Sequence, residues 1–352
     1  MPAIQAPATV LVTGANGFIA MWITKYLLDK GYFVRGTVRN KEKAAYPTSL
    51  FKKAVEAGRL DYYVVPDFLT PGAFNEAVKG VDAIIHTATP VTLKADDPED
   101  LIRPSLKGTV AILESALKEG GSLLKRIIYT ASNASIFDSF DSNRPSVVNE
   151  SNWNETSVVE VREKGREARQ LSKYRASKAL AERELWNWYE QHKSEISWDI
   201  TAVHPPLVVG PVLQECHSLK DINESNLVFY DYILSGKKTP EEVAAWQLAM
   251  VDVRDVADGH IRALEVPEAG GERIILSAWM AVAQDFFDTI NELNVTGFDV
   301  PIGIPGSGKD FKYRTIVDNT KARKVLGIQF RDKKEVTKDL LESICRLGGN
   351  MV

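Results

Sequence analysis

Tyr174 and Lys178 stand four residues apart in the run Leu171 to His192, so a helix there carries both on one face. A phenol with a pKa of about 10 is a poor acid or base at neutral pH, and a nearby ammonium stabilises its phenolate and brings it closer to use. A carbonyl oxygen being reduced needs a proton, and a hydroxyl beside the tyrosine would polarise it. Ser132, just after the apolar run Arg126 to Ala131, fits by position, and Ser135 competes for the role. Tyrosine and lysine at this spacing are common on surface helices. The pair gains meaning only from the elements that position it.

The first of these is Thr9 to Ala20, which reads as a buried strand ending in a glycine turn that opens a helix. Gly14 permits a sharp turn, Gly17 leaves room for a pyrophosphate at the helix N-terminus, and Ala20 is small enough for close helix–strand packing. Ile19, Trp22, Ile23, Tyr26 and Leu27 then follow helical spacing up to Gly31, and Tyr32 to Val38 is a second strand. Further strands are expected at Tyr62 to Val65, Ala83 to Thr87, Arg126 to Ala131 and Thr201 to His204. Helices are expected near Ala73 to Lys79 and over Glu99 to Glu119. This alternation predicts an α/β fold, a doubly wound parallel sheet of the Rossmann type. Residues 1–204 form mainly the nucleotide-binding domain, including the helix of Tyr174. After Pro205-Pro206 the alternation breaks down, and residues 205–352 are expected to form mainly a smaller substrate-binding lobe. Strand Arg273 to Ser277 and helix Ala283 to Leu293 rejoin or flank the first domain, and Val317 to Leu326 reads as a capped helix.

At the end of the second strand such a fold meets either a free ribose hydroxyl, with a carboxylate, or a 2′-phosphate, with cations. Arg39 stands there with no carboxylate beside it, and Lys43 lies four residues on; Arg35 points into the strand. The cofactor expected is therefore NADPH rather than NADH. Asp67, after the third strand, either meets the adenine or caps a turn.

Other signals narrow the class. The net charge of −4 and the absence of a dense basic run argue against nucleic acid, and no apolar run reaches the length of a membrane span. With no signal-peptide pattern at the start, a cytoplasmic location is expected. Cys216 and Cys345 are too far apart and too few for a metal site, and the five histidines lack metal spacing. Gly303 to Lys309 has phosphate-loop spacing, but Asp310 stands where a magnesium-binding hydroxyl belongs, so a surface loop is expected. Trp186, Trp188 and Tyr189 read as packing. Trp246 and Phe229 are either walls of an apolar pocket or core.

Four motifs carry a resemblance over nearly the full length: Thr13-Gly14-Ala15-Asn16-Gly17-Phe18-Ile19-Ala20, His86-Thr87-Ala88-Thr89-Pro90, Tyr174-Arg175-Ala176-Ser177-Lys178, and Val251-Asp252-Val253-Arg254-Asp255-Val256-Ala257-Asp258-Gly259-His260. With them the chain resembles the extended short-chain dehydrogenase/reductases, in particular the dihydroflavonol reductase-like group with its microbial NADPH-dependent aldehyde, ketone and methylglyoxal reductases. The resemblance implies reduction of a small-molecule aldehyde or ketone, by a monomer or homodimer. It implies Tyr174 as proton donor, Lys178 lowering the pKa of Tyr174 and holding the nicotinamide ribose, and Ser132 orienting the carbonyl. Thr13, Gly14, Asn16, Gly17, Phe18 and Ile19 would wrap the pyrophosphate, and Arg39 and Lys43 the 2′-phosphate. Asp67 and Phe68 would meet the adenine, Ala88 and Thr89 would run along the cofactor, and Pro205 to Val208 would pack near the nicotinamide. Two departures stand out. Thr130-Ala131-Ser132-Asn133 keeps only the second of two serines, and His204-Pro205-Pro206-Leu207 replaces a proline–asparagine pair. A sugar-nucleotide epimerase or dehydratase using NAD, or a protein that binds NADPH without chemistry, are the competing expectations.

Overall fold

A computed structural model of the chain describes residues 4–89, 95–138, 146–295 and 297–348. Its strands are β1 (Thr9–Thr13), β2 (Phe33–Val38), β3 (Leu60–Val64), β4 (Ala83–His86), β5 (Arg126–Thr130), β6 (Val147–Val148), β7 (Asp199–His204), β8 (Leu207–Val209), β9 (Gln247–Asp252), β10 (Arg273–Ile275), β11 (Trp279–Val282) and β12 (Ile316–Val317). The helices are α1 (Phe18–Asp29), α2 (Glu42–Leu50), α3 (Lys52–Glu56), α4 (Glu99–Glu119), α5 (Glu155–Lys164), α6 (Gln170–His192), α7 (Glu224–Phe229), α8 (Pro240–Ala245), α9 (Val253–Glu265), α10 (Ala283–Leu293) and α11 (Lys333–Arg346).

Seven strands form one parallel sheet in the order β3-β2-β1-β4-β5-β7-β10. Their side chains alternate between faces with the period of two that a strand imposes. Val10 and Val12 of β1 join Ile23 and Leu27 of α1 and Val256 and Ile261 of α9. Leu11, between them, joins Ile112 and Leu113 of α4 and Leu185 of α6 on the other side. Helices thus cover both faces, as a doubly wound sheet requires. The order in which strands are added reverses between β1 and β4, so a crevice opens at their carboxyl ends, beside Thr13 and His86.

β10 returns to the main sheet beside β7, as its sequence suggested. A second sheet, β11-β9-β8, and helices α10 and α11 enclose a third core around Phe229, Trp246, Met250, Phe286 and Leu340. Phe229 and Trp246 are therefore core residues, both nearly fully buried. Among the described residues no helix is long and apolar enough to cross a membrane, and no group of side chains could hold a metal ion.

Two expected helices differ. Residues 71–80 are a string of turns, although Phe74, Ala77 and Val78 are buried at helical spacing. Gly72 and Gly80, both at positive φ, interrupt the helical backbone at either end, and the stretch between mixes three- and four-residue bonds in place of a continuous ladder. Over Val317 to Leu326, Val317 instead pairs with Val148 in a short parallel ladder, and Asp318 accepts from the Thr320 amide at 2.8 Å before a helical turn begins. The helices α2, α3, α5, α7, α8, α9 and α11 and the strands β6, β8, β9, β11 and β12 are additions to the elements read from the sequence.

Candidate active site

The glycine turn follows β1 as expected. Gly14 sits at φ +63, and a Cβ there would lie 3.3 Å from Ala88. Gly17 is exposed and caps α1; no side chain satisfies the first amides of that helix, and its first turn carries no acidic residue. An anion finds free N–H donors and the positive end of the helix dipole there. Phe18 and Ile19 lean on the core beneath, and Asn16 is half-buried beside them.

Thr13 does not face this opening. It is wholly buried, and its hydroxyl accepts from the amides of Thr87 at 3.1 Å and Ala88 at 3.0 Å while meeting His86 Nδ1 at 3.0 Å. With both lone pairs filled, its single proton goes to Nδ1, which leaves the His86 proton on Nε2. Burial, with the charge of Lys178 adding to it, pushes His86 down to about 3, so the ring is neutral. Thr13 locks the end of β1 to the turn after β4, and so fixes the distance between Gly14 and Ala88 across the crevice.

Arg39 and Lys43 are exposed past the end of β2, and neither side chain has a hydrogen-bond or ion-pair partner among the described residues. Asn40 Oδ1 accepts from the Lys43 amide at 3.0 Å and shapes the loop between them. Arg35 is occupied elsewhere, donating to the carbonyls of Ala77 and Lys79 at 2.9 and 2.7 Å. Asp67 accepts from the Leu69 amide at 2.9 Å, so the turn-capping alternative is realised; its position at the carboxyl end of β3 leaves the second reading open to test. The Phe68 ring packs against Gly108 of α4, where a Cβ would lie 2.6 Å from it.

α6 brings the remaining groups together. Tyr174 is half-buried, Lys178 buried, and the Lys178 ammonium lies 5.6 Å from the centre of the Tyr174 ring. Lys178 Nζ donates to Thr89 Oγ1 at 2.8 Å. Its burial pulls the amine down to about 8. Burial raises the phenol of Tyr174 above its ordinary value, while the Ser132 hydroxyl and Arg175 act in the opposite sense. Burial sets the direction, so the phenol stays protonated at neutral pH. That is the state a proton donor needs.

Ser132 ends the extended segment after β5 and is partly exposed; its Oγ accepts from the Ala134 amide at 3.1 Å. Ser135 is wholly buried and hydrogen-bonded to Glu182, which takes it out of the competition. Pro205 and Val208 are buried, and the Pro205 carbonyl accepts from the Asn133 amide at 3.0 Å, tying this segment to the Ser132 turn. Pro90 of the second motif lies outside the described residues. The fourth motif supports these groups from behind: Val251 pairs with Val208, Asp252 caps α9 through the Arg254 amide at 2.7 Å, Asp255 pairs with Arg331, and His260 meets Thr130 at 2.8 Å. The loop 303–309 is not a phosphate site, since Gln284 and the carboxylate of Asp288 already accept from its amides at Ile304 and Gly306.

The sequence reading missed the buried polar groups behind these residues, Glu182, His204 and Arg273. They are far apart in the chain, and only the buried carboxylate at 182, four residues beyond Lys178, signals them.

Residues 10–277 match the NAD dependent epimerase/dehydratase family. The chain belongs to this family. Within these extended short-chain dehydrogenase/reductases it is 33% identical to the NADPH-dependent methylglyoxal reductase GRE2 of Saccharomyces cerevisiae, over 97% of this chain and 100% of that protein. It is 35% identical to the ketoreductase azaE of Aspergillus niger, over 95% of this chain and 97% of that one. The crystal structure of the yeast methylglyoxal/isovaleraldehyde reductase Gre2 complexed with NADPH superposes with a TM-score of 0.86 at 31% identity, over 97% of this chain and 100% of the other. The chain is also 33% identical to cinnamoyl-CoA reductase 1 of Petunia hybrida, over 74% of this chain and 70% of that one, in keeping with the dihydroflavonol reductase-like grouping.

Proposed function

We propose that this protein reduces an aldehyde or ketone to an alcohol with NADPH, and that Tyr174 is the proton donor. The observation that carries the reading is the convergence of Ser132, Tyr174 and Lys178 at the carboxyl end of the sheet, beside an anion-ready helix and two unpaired cations. The residues present fit the cofactor. The uncapped N-terminus of α1 and the turn at Gly14 suit the pyrophosphate, Arg39 and Lys43 suit the 2′-phosphate, and Asp67, Phe68, Ala88, Thr89, Pro205 and Val208 are placed to line the remainder. When bound, NADPH supplies the hydride.

The chain's own groups do the rest. Ser132 donates a hydrogen bond to the substrate oxygen and polarises the carbonyl. Tyr174, kept protonated by its burial, gives its proton to that oxygen as negative charge develops there. Lys178 lies close enough to stabilise the phenolate left behind, provided it carries its proton. Its present partner, Thr89, is exchangeable for a ribose hydroxyl of similar chemistry. The absence of a carboxylate beside Arg39 argues against an NAD-using sugar-nucleotide epimerase.

The test is a panel of aldehydes, diketones and ketoesters, with NADPH and NADH compared by loss of absorbance and the alcohols resolved on a chiral column. Turnover with NADPH on part of the panel is expected. No oxidation of NADPH by any member, or purified protein that retains stoichiometric NAD and turns over a sugar nucleotide, would overturn the reading.

A further inference from the structure

Glu182 follows Tyr174 and Lys178 on α6 at the same four-residue interval, so the three side chains run along one helix face. The first two stand at the reacting end, and the third is wholly enclosed. A buried carboxylate is costly unless its oxygens are filled, and here they are. Oε1 accepts from His204 Nε2 at 2.8 Å, from Arg273 Nε at 2.6 Å and from Trp186 Nε1 at 3.3 Å; Oε2 accepts from Arg273 Nη2 at 3.2 Å and from the Ser135 hydroxyl. Burial alone would raise this carboxyl, but His204 and Arg273 hold it well below the usual carboxylate range, so it is charged.

The donors come from parts of the chain that all bear on the site. Ser135 closes the turn that begins at Ser132, and its amide and hydroxyl lie 2.9 and 2.7 Å from the Ser132 carbonyl. His204 ends β7 and leads directly into Pro205, whose carbonyl holds the Asn133 amide. Arg273 also donates to the carbonyls of Glu150 and Asn152, and its guanidinium lies over the Trp153 ring at 3.8 Å. One anion on the catalytic helix therefore ties down the Ser132 turn on one side and the 204–205 segment on the other.

We propose that Glu182, acting through Ser135, is a positioning residue that holds the Ser132 hydroxyl at the distance from Tyr174 that proton transfer to the carbonyl requires. The inference rests on the reading of Ser132 and Tyr174 given above. Glu182 and Ser135 touch neither substrate nor cofactor. They hold the turn from the α6 side, where Glu182 is the partner of Ser135, while its backbone bonds run to Pro205 and Asn154, and an error of about 1 Å in such a site costs up to about a hundredfold in rate.

The decisive experiment is a double-variant cycle on the full chain, with kcat and KM measured for one carbonyl that the panel shows to be a substrate. Ser135→Ala removes only the hydroxyl and leaves Glu182 bound by His204 and Arg273, so the fold is kept. It should lower kcat about tenfold while KM for NADPH stays within about twofold. Ser132→Ala should lower kcat further. Combining the two should cost no more than Ser132→Ala alone, because Ser135 acts only through Ser132. Glu182→Gln should show the same lack of additivity, and it serves as a second variant if it purifies as a folded protein. Losses from Ser132→Ala and Ser135→Ala that multiply, or a Ser135→Ala enzyme with unchanged kcat, would overturn this inference while leaving the site reading intact. An unchanged kcat in Ser132→Ala would instead overturn the site reading, and this inference with it.

Discussion

Arg39 offers a clean separation of cofactor choice from folding. Its side chain is exposed and makes no contact among the described residues that stabilises the fold, so Arg39→Asp should leave stability within about 0.5 kcal/mol of the parent. A hydrogen bond between a guanidinium and a phosphate contributes about 1.5–3 kcal/mol. A carboxylate in its place adds repulsion of about 1 kcal/mol at about 4 Å in a water-like dielectric. The sum, about 2.5–4 kcal/mol, corresponds to NADPH binding weaker by about two to three orders of magnitude. NADH lacks the 2′-phosphate, and its affinity should move by no more than about twofold. Fluorescence titration of both cofactors measures this directly, and repeating it at high salt adds a second check, because the parent's preference for NADPH should shrink as exposed charges are screened. Equal losses for the two cofactors, or none for either, would refute the assignment of Arg39 to the phosphate.

The remaining predictions concern the interior of the site. Lys178 is pulled down to about 8, so it is charged below that pH and neutral above it, and kcat/KM for NADPH should fall as pH rises through about 8. Tyr174 is raised and cannot supply that limb, so Lys178→Arg, which stays charged, should remove it; a limb unchanged in that variant would assign it elsewhere. Thr13→Val keeps the side-chain shape but leaves the Thr87 and Ala88 amides and His86 Nδ1 without their partner, and urea unfolding should show a loss of about 3 kcal/mol. The same variant should bind NADPH more weakly, since the turn carrying Ala88 is then free to move against Gly14; full stability would show that Thr13 is no lock.

Much of this architecture is legible in the sequence because it is written in short-range signals. The strand period around Val10, Leu11 and Val12, the glycine turn, and the four-residue spacing of Tyr174 and Lys178 each depend on neighbours in the chain. The boundaries of α4 and α10 came out as read for the same reason. The stretch Ala73 to Lys79 misled because burial at positions 74, 77 and 78 has helical spacing whether or not the backbone completes a helix, and its flanking glycines decide that. The second sheet was not legible, since β8 and β11 are short and the three strands are joined by pairing between residues about 30 to 43 apart in the chain. The Thr13–His86 lock and the Glu182 cluster were hidden by distance as well. A threonine after a strand and a glutamate in a helix are ordinary residues until the fold closes around them.

The central claim is that Tyr174 gives the proton while NADPH gives the hydride, and Tyr174→Phe tests it most directly, because it removes one oxygen from a packed helix face. With NADPH saturating and a carbonyl substrate from the panel, single-turnover NADPH oxidation should slow by about two to four orders of magnitude, with NADPH affinity and melting temperature nearly unchanged. A Tyr174→Phe enzyme that oxidises NADPH at the parent rate would contradict the account.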